Sequence, residues 1–127
     1  MKPETMMYEI ITEIIPDNSD KTVFFASITK GSYEVFFYSF INGVPKQCYT
    51  LADEGKLDEN HLDNAFESIV KIIRNSKVFK EEKINVATIV FDKTGIKMNV
   101  DYYDKGSRKQ KILKEWLLTN GLLTLKD

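Results

Sequence analysis

The sequence predicts an α+β fold in which helices pack against an antiparallel sheet of about five strands. Segments rich in β-branched and aromatic residues follow one another across short turn sequences, which indicates hairpins rather than strands alternating with helices. Three other segments place apolar residues at helical spacing. The predicted order is α-βββ-α-ββ-α over residues 1–127, without a linker or an internal repeat, so we expect a single domain.

The first predicted helix lies before Pro16, and the two strands after it. The apolar residues of this helix recur at helical spacing: Met7, Tyr8, Ile11, Ile14 and Ile15. Pro16 ends the helix because the residue before a proline is displaced from the α region. Strands are then predicted at residues 23–30 and 33–41, with Gly31 supplying the turn between them.

A third strand is predicted at residues 44–51, after a tight turn. Asn42 and Gly43 both tolerate a positive φ, which makes them a strong signal for a two-residue hairpin loop. Pro45 has no N–H to donate, so this strand is expected at an edge of the sheet. Cys48 is interpreted as a small apolar residue within the strand, and residues 52–57 as a loop.

The central helix is predicted to begin after Asp58, which suits an N-cap. Glu67 and Lys71 are spaced i, i+4 and are expected to pair on its outer side. Its core-facing residues recur at helical spacing: Leu62, Ala65, Phe66, Ile69, Ile72 and Ile73.

A second hairpin and a basic helix complete the prediction. The hairpin spans residues 84–91 and 96–103 across the turn sequence DKTG. Alternation along its second strand places Asn99, Asp101 and Tyr103 on an open face, opposite a buried one. The last helix covers about residues 107–120, with Gly121 as the expected C-cap. Its buried side is predicted from the apolar residues Ile112, Leu113, Trp116 and Leu117.

Aromatic residues are concentrated in the first hairpin. Residues 23–43 contain five of the eight phenylalanines and two of the six tyrosines. We expect Phe24, Phe36 and Phe40 to share one face of the sheet, packed beneath helices. Phe25 and Phe37 are assigned to the other face, which either meets another helix or stays available to a partner.

The sequence provides few residues for catalysis. Its one cysteine and one histidine, Cys48 and His61, exclude an intramolecular disulfide and leave a transition-metal site dependent on carboxylates. No glycine-rich phosphate loop is present, and the paired acids are best interpreted as solvated surface. His61 is interpreted as structural or exposed. We therefore expect a protein that is not an enzyme and binds no cofactor and no metal.

Two oppositely charged segments underlie the net charge of −1. Residues 53–67 contain six acids and one lysine, for a net charge of −5, whereas residues 105–114 contain five basic residues and no acid. The acidic segment is consistent with a helix N-terminus and also with the steering of a basic protein partner. The overall balance predicts neither direct nucleic-acid binding nor membrane binding. The acids near the N-terminus do not fit a secretion signal, so we expect a cytoplasmic protein.

The order of elements and several short sequences resemble one family. The sequences are YEIITEIIPDNSDKTVFFASI, YEVFFYSF, ATIVFDKTGIKMNVDYYD and RKQKILKEWLLTNGLL, within residues 6–121. Together they resemble the YezG-like family of bacterial immunity proteins. The matching pieces are Ile15-Pro16, Val35-Phe36-Phe37-Tyr38, Thr94-Gly95, Asp101-Tyr102 and Asp104.

This resemblance implies an antitoxin that binds a cognate secreted or contact-delivered toxin domain, often a nuclease, and occludes it stoichiometrically. The expected partner is a basic toxin domain, and the free protein is expected to be a monomer. A small adaptor or regulatory protein-binding module remains the alternative, and an enzyme or small-ligand binder is a third possibility. The candidate toxin-binding residues are Asp53, Glu54, Asp58, Glu59, Asp63 and Glu67, or Asn99, Asp101 and Tyr103 on the open strand face.

Overall fold

The computed structural model describes residues 2–122, which form four helices and five strands. In chain order they are α1 (Pro3–Ile14), β1 (Lys21–Ile28), β2 (Tyr33–Ile41), β3 (Val44–Gln47), α2 (Cys48–Asp53), α3 (Glu59–Arg74), β4 (Lys83–Asp92), β5 (Gly95–Asp104) and α4 (Lys109–Thr119). None of the described helices is both long enough and apolar enough to cross a bilayer.

The five strands form one antiparallel sheet in the order β3-β2-β1-β4-β5. The predicted α+β fold and element order are confirmed, with the short helix α2 added between β3 and α3. Asn42 and Gly43 have φ values of 53° and 77°, as the two-residue turn between β2 and β3 requires. β3 is an edge strand, as Pro45 predicted.

Helices α1 and α3 cover one face of the sheet, which we call the α3 face. The Phe66 ring of α3 lies 6.4 Å from Phe24 and 6.1 Å from Phe37, both nearly perpendicular to it. The Tyr8 ring of α1 lies 5.5 Å from Phe91 of β4. Asp58 caps α3 by accepting from the backbone N–H groups of the helix's first turn, so the predicted start of this helix is confirmed.

Helix α4 packs on the opposite face, which we call the α4 face. The Trp116 ring meets Phe25 and Phe36 edge-on, with ring centroids 5.1 Å and 5.8 Å away. Its indole Nε1–H donates to Thr88 Oγ1 at 2.8 Å, which satisfies the one polar atom that the ring buries. Helices therefore cover both faces of the sheet, and both sets of rings in the aromatic hairpin enter the core.

The predicted grouping of these rings is wrong. Phe24 lies directly opposite Phe37, and Phe25 directly opposite Phe36, so each facing pair shares a side of the sheet. The rings of the first pair lie 4.8 Å apart on the α3 face, tilted by 39°, and those of the second pair stack at 4.9 Å on the α4 face. The four-residue loop 29–32 sets this register by pairing Ile28 with Tyr33, so the parity of residue numbers does not carry over from β1 to β2.

The predicted third strand is too long. β3 ends at Gln47, and α2 begins at Cys48, so Cys48 is helical rather than part of a strand. The Gln47 side chain caps the new helix by accepting from the Tyr49 N–H at 3.1 Å. Cys48 and Leu51 are both fully buried, and their i, i+3 spacing is helical.

A buried amide anchors the segment that enters β4. The Asn85 side chain is 0% exposed and donates to the carbonyl oxygens of Ile28, Lys80 and Lys83. Its Oδ1 accepts from the Lys80 N–H at 2.8 Å. These bonds connect the turn before β4 to the end of β1, so the sheet and the preceding loop form one hydrogen-bonded unit.

Replacing Trp116 tests whether α4 belongs to the core. Trp116→Ala removes two edge-on aromatic contacts and one hydrogen bond, and we expect the free energy of unfolding to fall by about 3–5 kcal/mol. The exposed Lys114→Ala substitution on the same helix should change it by less than about 0.5 kcal/mol. Urea denaturation measures both values. Equal, small effects would show that α4 docks only loosely.

Candidate protein-binding site

An acidic stripe follows the solvent side of α3. Glu59, Asp63 and Glu67 are spaced four residues apart and are all exposed, so they project from one side of the helix. The opposite side of the same helix is buried against the sheet through Leu62, Ala65, Phe66, Ile69, Val70 and Ile73. The amphipathic pattern that docks α3 therefore also fixes the direction of its acids.

The stripe borders a groove between α3, α2 and the first residues of β2. This groove has a volume of about 480 Å³, and we call it the acidic groove. Its described lining contains no lysine or arginine. The lining residues are Tyr33, Glu34, Val35, Tyr49, Asp63, Asn64, Phe66 and Glu67.

Tyr49 and Tyr33 supply aromatic surface to the acidic groove. Burial raises the pKa of the Tyr49 hydroxyl, and the negative charges of Asp63, Glu59 and Glu34 raise it further. Tyr33 is 46% exposed, and the Arg74 guanidinium lies 5.8 Å from its ring centroid. A partly exposed ring beside convergent carboxylates is suited to binding a basic protein surface.

Arg74 fixes the end of the groove nearest the β1–β2 loop. Its guanidinium donates to the Thr29 carbonyl at 2.9 Å and 3.2 Å and to the Ser32 carbonyl at 3.1 Å. The charge of Arg74 is therefore directed at loop carbonyls of the protein itself, and the loop is attached to the C-terminal end of α3.

Three of the predicted acids serve the fold or pair locally. Asp58 caps α3, and Glu67 pairs with Lys71 at 3.7 Å, as the sequence predicted. Glu54 lies 3.4 Å from Lys46 and 3.5 Å from Lys56. The hydrogen bond from Lys46 lowers the pKa of the Glu54 carboxyl, which is the opposite direction from that required of a general acid.

Asp53, Glu59 and Asp63 form no ion pair within the described residues. Asp53 lies at the end of α2, and the other two lie on α3. Of the six predicted acids, only Asp63 and Glu67 line the acidic groove. Asp63 therefore combines an unpaired carboxylate with a position in the groove.

The second predicted set lies on the other side of the molecule. Asn99, Asp101 and Tyr103 belong to the edge strand β5 and alternate with the residues that face α1. They line a smaller groove of about 220 Å³ beside α4, which Glu115 and Trp116 also border. Burial, followed by the charges of Asp101 and Glu115, raises the pKa of Tyr103.

The structure does not bring the two predicted sets together. The acidic groove lies on the α3 face beside the first residues of β2, whereas the β5 set lies on the α4 face at the β5 edge of the sheet. Basic residues at the start of α4 adjoin the second set, because the N-cap residue Arg108 and Lys111 line a groove with Tyr103. The acidic groove is therefore the more strongly acidic of the two surfaces.

The residues considered for catalysis are dispersed. His61 is exposed on the first turn of α3, as predicted, whereas Cys48 is fully buried. Within residues 2–122, no group of three or more His, Cys, Asp or Glu side chains could hold a metal ion.

Residues 5–116 match the family described as Immunity protein YezG-like. The chain belongs to the YezG-like immunity protein family. No curated protein sequence matches it. Membership supports an immunity-protein role, which implies binding to a toxin partner, and the family is generally non-enzymatic.

Sequence reasoning missed Tyr33, Glu34 and Tyr49 of the acidic groove. Glu34 lies in β2 and is separated in sequence from the acidic segment, and only the fold brings it to the same groove as Asp63. Tyr49 was assigned to a strand. The i, i+3 spacing of Cys48 and Leu51 was the available signal for a helix that would place Tyr49 beside α3.

Cys48 should be chemically inert in the folded protein. Burial raises the pKa of its thiol from the ordinary value of 9.0 to about 11, so at pH 8 its thiolate fraction is about 100-fold lower than that of an unburied cysteine. We expect DTNB to react at least about 100-fold more slowly with the native protein than with the urea-unfolded protein. Equal rates would show that the α2 segment opens readily.

Proposed function

We propose that this protein is a cytoplasmic immunity protein that neutralises a nuclease toxin delivered by contact or secretion. In this proposal the free protein is a monomer and binds one toxin domain. The toxin loses access to its substrate because the immunity protein covers a basic surface. Family membership supports the immunity role, and the acidic groove is the observation that carries the choice of a basic partner.

Charge complementarity explains why a nuclease would fit this groove. Nucleases bind phosphate backbones through lysine and arginine side chains. A surface with carboxylates and no cation in its described lining imitates that polyanion, which accelerates encounter and disfavours partners of the wrong sign. Asp63 contributes an exposed carboxylate, and Glu34 and Glu67 lie in the same lining.

Aromatic side chains would supply most of the affinity. Interface binding energy is concentrated in a few residues, among which tyrosine is enriched. Both tyrosines line the groove; Tyr49 is partly buried and Tyr33 is exposed. Because both are held by the fold, little side-chain freedom would be lost on binding.

Reversing the charge of one aspartate on each surface tests the proposed binding face. Asp63→Lys should weaken binding to the toxin domain encoded beside this gene at least about tenfold, because it places a cation in the groove. Asp101→Lys is the matched control on the α4 face and should change affinity less than about twofold. Surface plasmon resonance with a catalytically inactive toxin measures both affinities.

The same two variants can be assayed in cells. Co-expression of the active toxin with the wild-type protein or Asp101→Lys should permit growth, and protection by Asp63→Lys should decline in parallel with its affinity. Purified toxin should degrade RNA or DNA until one equivalent of the wild-type protein is added. The opposite ranking of the variants would assign binding to Asn99, Asp101 and Tyr103, and the lack of any complex would refute the proposal.

A further inference from the structure

The outer edge of β2 is only partly paired. β3 pairs with residues from Tyr38 to Ile41, although β2 begins at Tyr33. After Gln47 the chain turns away into α2, so no described strand continues the ladder beside the first half of β2. This unpaired half lies in the acidic groove, where Tyr33, Glu34 and Val35 form part of the lining.

Two independent observations determine which backbone groups point outward from this edge. The Thr29 N–H donates to the Ser32 carbonyl at 2.9 Å, which makes this pair a hydrogen-bonded pair of the β1–β2 ladder. Hydrogen-bonded pairs recur at every second residue, so Glu34 and Phe36 also bond to β1. The two-residue turn between β2 and β3 independently makes Ile41 and Val44 a hydrogen-bonded pair. Every second residue before Ile41, down to Val35, therefore directs its N–H and C=O toward the β3 side, away from β1.

Four outward backbone groups have no partner among the described residues. They are the N–H and C=O of Tyr33 and of Val35. The backbone of Phe37, the next outward-facing residue, does have a partner, because it hydrogen-bonds to Cys48. Val35 is only 5% exposed. Backbone groups at buried positions are almost always hydrogen-bonded, so this short edge is suited to receiving a strand.

The charges around the edge define the segment that fits. The Asp63 and Glu67 side chains lie on the α3-face side of the groove, and Glu34 alternates to the α4-face side. Lys109 of α4 lines a neighbouring groove with Glu34, but no ion pair joins them within the described residues. A strand laid along this edge would meet carboxylates on both of its sides.

We propose that an extended, lysine- or arginine-containing segment of the toxin adds to the sheet as a sixth strand beside Tyr33–Val35. This proposal rests on the proposed function and specifies how the toxin binds. Main-chain hydrogen bonds to Tyr33 and Val35 fix the position of the segment. Its alternating side chains contact the two sides of the groove and determine specificity. The toxin residue opposite Glu34 faces the α4 side, and its two neighbours face Asp63 and Glu67.

Amide hydrogen exchange followed by NMR tests this strand addition directly. In the free protein, the amides of Tyr33 and Val35 should exchange at least about 100-fold faster than those of Glu34 and Phe36. Binding of the inactive toxin domain encoded beside this gene should slow the exchange of Tyr33 and Val35 at least about tenfold. Unchanged exchange of both amides in a saturated complex would overturn the strand addition.

Two substitutions at Tyr33 separate the contribution of its main-chain hydrogen bond to toxin affinity from that of its side chain. Tyr33→Ala and Tyr33→Pro both remove the ring and its contact with Arg74, but only proline removes the N–H donor. Because this N–H points away from β1 and lies at the first residue of the strand, proline is compatible with β2. Tyr33→Pro should bind the toxin about fivefold more weakly than Tyr33→Ala, the effect of about one hydrogen bond.

The outcomes distinguish this proposal from the proposed function. Equal affinities of the two Tyr33 variants, with Asp63→Lys still defective, would overturn strand addition but preserve the acidic groove as the toxin-binding surface. Failure of the wild-type protein to bind would refute both proposals. Protection of the Tyr33 and Val35 amides that rises with protein concentration in the free state would assign the edge to a second copy of this chain and overturn the proposal.

Discussion

The register between β1 and β2 is the constraint on which the rest of the structure depends. It places Phe24 opposite Phe37 and Phe25 opposite Phe36, so each face of the sheet receives a pair of contacting rings. Apolar rings on both faces require helices on both faces. Phe66 meets the first pair and Trp116 meets the second. A slip of one residue would exchange the two sets of side chains and separate each ring pair from its helix.

Covering both faces restricts where a partner can bind. The broad surfaces of the sheet are occupied by α1, α3 and α4, so the accessible sheet groups lie along its edges and in the grooves between an edge and a helix. The chain's shift from β3 to α2 at Gln47 leaves such a groove beside β2. The helical conformation of Cys48 therefore has two results, because it buries the thiol and it shortens the strand that would otherwise cover β2.

The sequence predicted features that depend on local chemistry. Asn42-Gly43, Pro45 and Asp58 each impose a preference on their own backbone or a neighbouring one, and the turn, the edge strand and the helix cap lie where these residues indicated. The ring pairing could not be inferred in the same way, because it depends on the length of the loop between strands. Likewise, the placement of Glu34 and Asp63 in one groove depends on tertiary packing, which neither segment encodes alone.

Arg74 fixes the start of β2 before a partner binds. By donating to the carbonyls of Thr29 and Ser32, it attaches the loop that precedes β2 to the last turn of α3. The first residues of β2 are consequently ordered before any ligand arrives, and the entropy of fixing them is lost during folding rather than during association. A surface prepared in this way can combine rapid capture with slow release, since no rearrangement of the loop must accompany docking.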